Sequence, residues 1–199
     1  MMNNILTEPL PTVWHGRRID PDFRHMVRLS AAYSHGETEA DPVAFALQMC
    51  EKFYTERFSA TDLERLYGWL IEFYRAGEQD AETGADPANG QSHEPAFDYR
   101  CDAPYIVAAF QQAYGIDLTR EKLHWFRFRA LFAGLPEDTL MAKIMSWRTM
   151  DLDDYDGKMR EHYADLKERF ALPAGLRGGA AVAQTVAEHD AAFLARFRR

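Results

Sequence analysis

Cysteine is scarce in this 199-residue sequence: Cys50 and Cys101 are the only two. They stand too far apart for a C-x-x-C metal pair, and two thiols cannot build the disulfide framework of a small secreted domain. Reduced, buried thiols are the expectation. Basic charge is also in deficit, with 23 Lys and Arg against 31 Asp and Glu and a net charge of -8. That balance opposes a phosphate-binding stripe, so no nucleic-acid partner is expected. The local exceptions are Arg127 and Arg129, and Arg196, Arg198 and Arg199, the last three reading as complements to a helix C-terminus. No run of about 18 apolar residues is present, which predicts no membrane partner. The opening MMNNILTEPLPTVW lacks the basic and apolar regions of a secretory signal, which predicts an intracellular protein.

Reaction signatures are missing too. The sequence contains no G-x-x-x-x-G-K-[ST] phosphate loop, no G-x-G-x-x-G turn, no H-E-x-x-H helix and no G-x-S-x-G elbow. His124 lies in an aromatic stretch without carboxylates or thiols at ligand spacing, so it is expected to be a hydrogen-bonded core or boundary histidine. The acidic run Asp151 to Gly157 fails as a calcium loop, because aligning Gly157 to the sixth position puts Leu152 first and Tyr163 twelfth. Its acids read as N-terminal charge for the following helix. The chain is therefore read as non-enzymatic, with no catalytic, metal-binding or cofactor-binding residue and no cofactor.

What is abundant is apolar side chains at helical spacing, which makes the predicted fold all-α with a compact multi-helix domain. Val13, Trp14 and Arg17 to Ile19 flank a His15-Gly16 turn signal and suggest a short N-terminal hairpin. Asp20-Pro21 and Asp41-Pro42 each look like an N-cap followed by an N1 proline. After the second, Val43, Ala46, Leu47, Cys50 and Phe53 fall on one face. Thr61-x-x-Glu64 reads as a capping box ahead of Leu63, Leu66, Tyr67, Leu70, Phe73 and Tyr74. Asp102 and Pro104 open a helix that Gly115 closes. Thr119 is predicted to cap the next helix, and Pro136 to start one through Leu140, Met141, Ile144, Met145 and Trp147. Tyr155, Met159, Tyr163, Leu166 and Phe170 then form the last core element before Pro173.

Composition divides the chain into four parts. Residues 1–75 carry the extended segment and three helices. Residues 76–96, rich in Gly, Asp, Glu, Asn and Pro, lack apolar anchors and are expected to be a flexible linker. Residues 97–172 form an aromatic-rich helical core. Residues 173–199 combine a glycine hinge (Gly175, Gly178, Gly179) with an alanine-rich C-terminal tail helix.

The aromatic-rich part carries a resemblance. Asp98-Tyr99, Asp102-Ala-Pro-Tyr-Ile106, Phe110, Tyr114-Gly-Ile-Asp-Leu118, Leu123-His-Trp125, Phe128-Arg129-Ala-Leu131, Gly134-Leu-Pro136, Lys143-Ile144, Trp147-Arg148 and Asp151-Leu152 follow one another as in the bacteriophage family named after gene product fifteen. Ile19-Asp20, Asp22-Phe23-Arg24 and Phe73-Tyr74 resemble its N-terminal part, so the likeness runs from about residue 10 to about residue 172. Phe126 stands where a second tryptophan is common in the family, and Cys101 where an aromatic is usual. Members are encoded in the tail-gene cluster of tailed phages and prophages, near the tape-measure gene. The resemblance implies a tail-assembly chaperone in the host bacterial cytoplasm that binds the tape-measure protein, the tail-tube protein or both, with self-association a further option. The alternative it leaves open is a minor structural component of the tail or head-tail connector.

A protein that holds long amphipathic helices needs apolar, adaptable side chains at its surface. Trp125, Met141, Met145 and Trp147, with Met150 beside them, are candidate partner-binding residues, as are Val186, Phe193 and Phe197 on the tail stripe. The competing reading is that each faces the domain interior, as apolar stripes usually do.

Overall fold

The computed structural model describes residues 6–38, 40–76 and 95–177. Most of the predicted linker 76–96, and the predicted tail helix with Val186, Phe193 and Phe197, lie outside the described residues. Among those described, the order is β1 (Val13–Trp14), β2 (Arg17–Arg18), α1 (Phe23–Ser34), α2 (Pro42–Phe53), α3 (Leu63–Ala76), α4 (Ala103–Tyr114), α5 (Trp125–Ala133), α6 (Leu140–Thr149) and α7 (Gly157–Arg169). The fold is mainly helical, as the apolar spacing predicts. No helix among these residues is long and apolar enough to cross a membrane. They form two compact units, one from residues 6–76 with Lys122–Ala133, the other from residues 95–121 and 134–177. Residues 122–133, which composition groups with the aromatic-rich segment, belong to the first unit.

In the first unit the hairpin pairs Val13 with Arg18 and Trp14 with Arg17. His15 (φ 46°) and Gly16 (φ 77°) both adopt the left-handed conformation that a two-residue hairpin turn requires. The chain stays extended past the hairpin. Ile19 bridges to Tyr54 and Asp22 to His124, the Pro21 carbonyl accepts the Trp125 N–H at 2.8 Å, and the Phe23 N–H donates to Leu123 at 2.9 Å. This pairing corrects the Asp20-Pro21 start: Pro21 is held in a strand-like segment, and the N-cap is Asp22, whose carboxylate accepts the Arg24 N–H at 3.0 Å.

Asp41 does cap α2, with Pro42 in its first turn. The buried face, however, is Ala46, Met49, Cys50 and Phe53, while Val43 and Leu47 are exposed. The spacing from Ala46 to Phe53 suits either set, and the partner helix selects the one containing Met49. α3 buries Leu63, Leu66, Tyr67, Leu70, Ile71, Phe73 and Tyr74, each such side chain contributing about 1.5–3 kcal/mol. The cap ahead of it differs from the predicted Thr61. Ser59 caps a 3-10 turn, Ala60–Asp62, that leads into the helix, and the Thr61 hydroxyl bonds to Ser59 instead.

The predicted Thr119 cap is also displaced. The Thr119 N–H and hydroxyl both donate to Asp117 in a turn, and α5 begins only at Trp125. His124 caps it: its Nδ1 accepts the Phe126 N–H at 3.1 Å. Since Nδ1 accepts, the proton sits on Nε2, which donates to the Pro11 carbonyl at 3.0 Å. This is the hydrogen-bonded boundary histidine expected of an aromatic stretch. Beyond it, Trp125 stacks on Tyr74 (5.4 Å between centroids), Phe126 on Phe73 (4.9 Å) and Phe128 on Phe23 (4.5 Å).

In the second unit α4 ends on Gly115 in the left-handed conformation (φ 67°), as predicted. α6 starts at Leu140 rather than Pro136, because Pro136 opens a turn whose carbonyl accepts from Thr139, and the Thr139 hydroxyl caps the helix through the Ala142 N–H. α7 departs furthest from expectation. No residue within it is buried, so it is a peripheral helix and not a core element. Its Tyr163 and Leu166 are half-buried and Met159 is exposed.

Candidate partner-binding site

The candidate side chains divide by exposure. Trp125 and Met141 are both 0 % exposed, and the Trp125 indole donates to the Tyr74 carbonyl at 3.0 Å. Both are core residues with no surface to offer a partner. Met145 and Trp147 of α6, and Met150 at its C-cap, are half-buried. Trp147 therefore reaches solvent with part of its indole while the rest packs against Phe170, ring centroids 5.2 Å apart at 29°.

Beneath that stack lies a polar node absent from the predicted site residues. Arg148 sits on the buried stripe of α6 with Met141 and Ile144, where an unpaired guanidinium would be costly. All three of its nitrogens are engaged. Nη1 and Nη2 donate to the two carboxylate oxygens of Asp102 at 2.6 and 2.8 Å, Nη1 also reaches the Ala96 carbonyl at 3.1 Å, and Nε donates to the Phe170 carbonyl at 2.7 Å. Asp102 stands at the N-cap position of α4 without capping it. Its carboxylate instead accepts the Asp98 N–H at 2.9 Å along with Arg148.

Asp98 continues the network, accepting the N–H groups of Arg100 and Cys101 at 2.9 and 2.8 Å. The Cys101 thiol is pushed above its ordinary value, first by burial and then by the Asp98 carboxylate beside it. Cys101 is half-buried, whereas Cys50 is fully buried, and both are free thiols. The sequence did hold a signal for the node: Arg148 continues the Met141–Ile144 stripe at helical spacing, and a cation on a core stripe demands an anion.

Phe170 completes the site. It closes α7 as its C-cap residue, and its ring meets Trp147 of α6 and, edge-on at 6.2 Å, Tyr105 of α4. An aromatic seat on α4 and α6, underpinned by a buried ion pair, thus holds the end of a third helix. The class this defines is a helical scaffold whose aromatic and polar anchors pack its helices together. Comparison with known proteins gives the family. The family described as Bacteriophage Gp15 protein matches residues 10–172, and the chain belongs to it. It is a phage protein. No curated protein and no solved structure matches the chain. Asp102 and Arg148, which carry the resemblance in separate phrases, are the two halves of a buried pair.

Proposed function

We propose that this protein is a non-enzymatic tail-assembly factor of the host bacterial cytoplasm, a chaperone that covers amphipathic helices of the tape-measure protein, and of the tail-tube protein, until the tail polymerises. Membership of the Bacteriophage Gp15 family supports a phage role. The observation that carries the binding role is the half-exposed Trp147 indole stacked on the end of a peripheral helix. A large aromatic at a rim, with the adaptable Met145 and Met150 on the same element, suits helix-in-groove recognition. The net charge of -8 suits a protein partner rather than nucleic acid.

Mass spectrometry of purified particles tests the reading. A chaperone leaves the finished tail, so particles should lack this chain. Incorporation at a fixed copy number would instead make it a minor structural component of the tail or connector.

A further inference from the structure

Of the helices in the second unit, α4 and α6 bury side chains and α7 buries none. A helix so placed opens locally at a small part of the global stability. Several of its ties lead to its own approach segment. Arg160 donates to the Leu152 carbonyl at 3.0 Å and the Asp153 carboxylate at 2.9 Å, Tyr163 packs on Tyr155 at 4.6 Å, and Lys167 reaches the Met150 carbonyl at 3.0 Å. Leu152, Asp153 and Tyr155 belong to the link between α6 and α7 and can travel with the helix.

The far end is held differently. Phe170 places its ring on Trp147 and Tyr105 and its carbonyl on Arg148 Nε. Three of the bonds that hold Arg148 do not involve this occupant: two go to Asp102 and one to the Ala96 carbonyl. When the Phe170 carbonyl leaves, one N–H points at the vacated place, beside an uncovered indole.

Resting on the reading of this protein as a binder of amphipathic helices, we infer that α7 and Phe170 are an internal ligand of the seat formed by Tyr105, Trp147 and Arg148. A partner protein's amphipathic helix ending in an aromatic residue displaces them. The internal occupant defines the chemistry: an aromatic ring that stacks on Trp147, and a carbonyl at a helix C-terminus that accepts from Arg148. Because the closed form hides the seat, apparent affinity is reduced by the fraction of molecules that are open. Loosening α7 raises that fraction.

A fluorescein-labelled synthetic peptide copying residues 157–177, titrated by anisotropy into the full chain, tests this without any tail protein. Failure here is therefore distinguishable from failure of the chaperone reading. The Phe170→Ala chain should bind the peptide about tenfold more tightly than the unaltered chain, since its own occupant keeps the carbonyl but loses the ring and so competes less. A peptide with alanine at that position should bind neither, and adding Trp147→Ala to the chain should abolish binding. If Phe170→Ala unfolds the protein, Lys167→Ala loosens α7 without touching the seat and should also bind more tightly than the unaltered chain. Hydrogen exchange should show α7 opening before α4 and α6. Equal affinity for all chains, no binding to any, or exchange of α7 only in step with α4 and α6 would overturn the inference.

Discussion

Arg148 and Asp102, 46 residues apart in sequence, meet through two guanidinium–carboxylate hydrogen bonds of 2.6 and 2.8 Å while exposing 4 % and 1 % of their side chains. Such a pair is held less by net Coulomb gain than by the cost of breaking it, because removing either partner strands the other charge away from water. Arg148→Met should therefore destabilise by about 3–5 kcal/mol. Adding Asp102→Leu to it should restore part of that loss, since no charge is then left buried. Urea midpoints of the two singles and the double measure the coupling, and strictly additive losses would show that the pair does not act as a unit.

The two tryptophans of the aromatic-rich segment should separate by burial. Trp125→Ala removes a fully buried ring together with its hydrogen bond to Tyr74, a change costing about 3–5 kcal/mol. Trp147→Ala acts on a half-exposed ring and should cost clearly less. Thermal or urea unfolding of the two variants side by side decides it; equal losses would place Trp147 in the core.

His124 makes stability depend on pH. Burial lowers its ring below the ordinary value, with the Pro11 carbonyl partly opposing, and the ring must stay neutral for Nδ1 to accept from Phe126. The folded value being the lower one, the unfolded chain takes up the proton first. The contribution is fully present above the unfolded value of about 6.5 and declines as pH falls through that value toward the folded one. Urea titrations at pH 7.5 and 5.5 should show this loss, and His124→Gln should flatten it. A slope unchanged by the substitution would assign the effect elsewhere.

The thiols should differ in reactivity. Burial pushes Cys50 up to about 12, so iodoacetamide should modify it only after denaturation. Cys101 is half-buried with a raised thiol and should react slowly in the folded protein. Peptide mapping after brief labelling at pH 8 distinguishes them, and rapid native modification of Cys50 would contradict the packing of α2.

Periodicity made the helices and the hairpin legible, because burying one face needs only local spacing. α3 is the clearest case, with its whole apolar stripe inside. Helix starts were less legible. Asp20-Pro21, Thr61, Thr119 and Pro136 all carry start signals, yet distant pairing claims the first and local turns claim the others. Cap chemistry is shared between helices and turns, so tertiary contacts decide which is used. For the site, Trp125 and Trp147 look alike in sequence, since burial depends on what lies across from each ring. Arg148 and Asp102 were visible only as separate family phrases. Their meeting depends on how α4 and α6 pack, which no local spacing encodes.

Co-expression with the tape-measure protein of the same phage is the most direct test of the proposed function. If this chain covers apolar helical surface, it should move that protein from the insoluble to the soluble fraction and co-purify with it. A tape-measure protein left equally insoluble with and without this chain, with no complex recovered, would contradict the chaperone account.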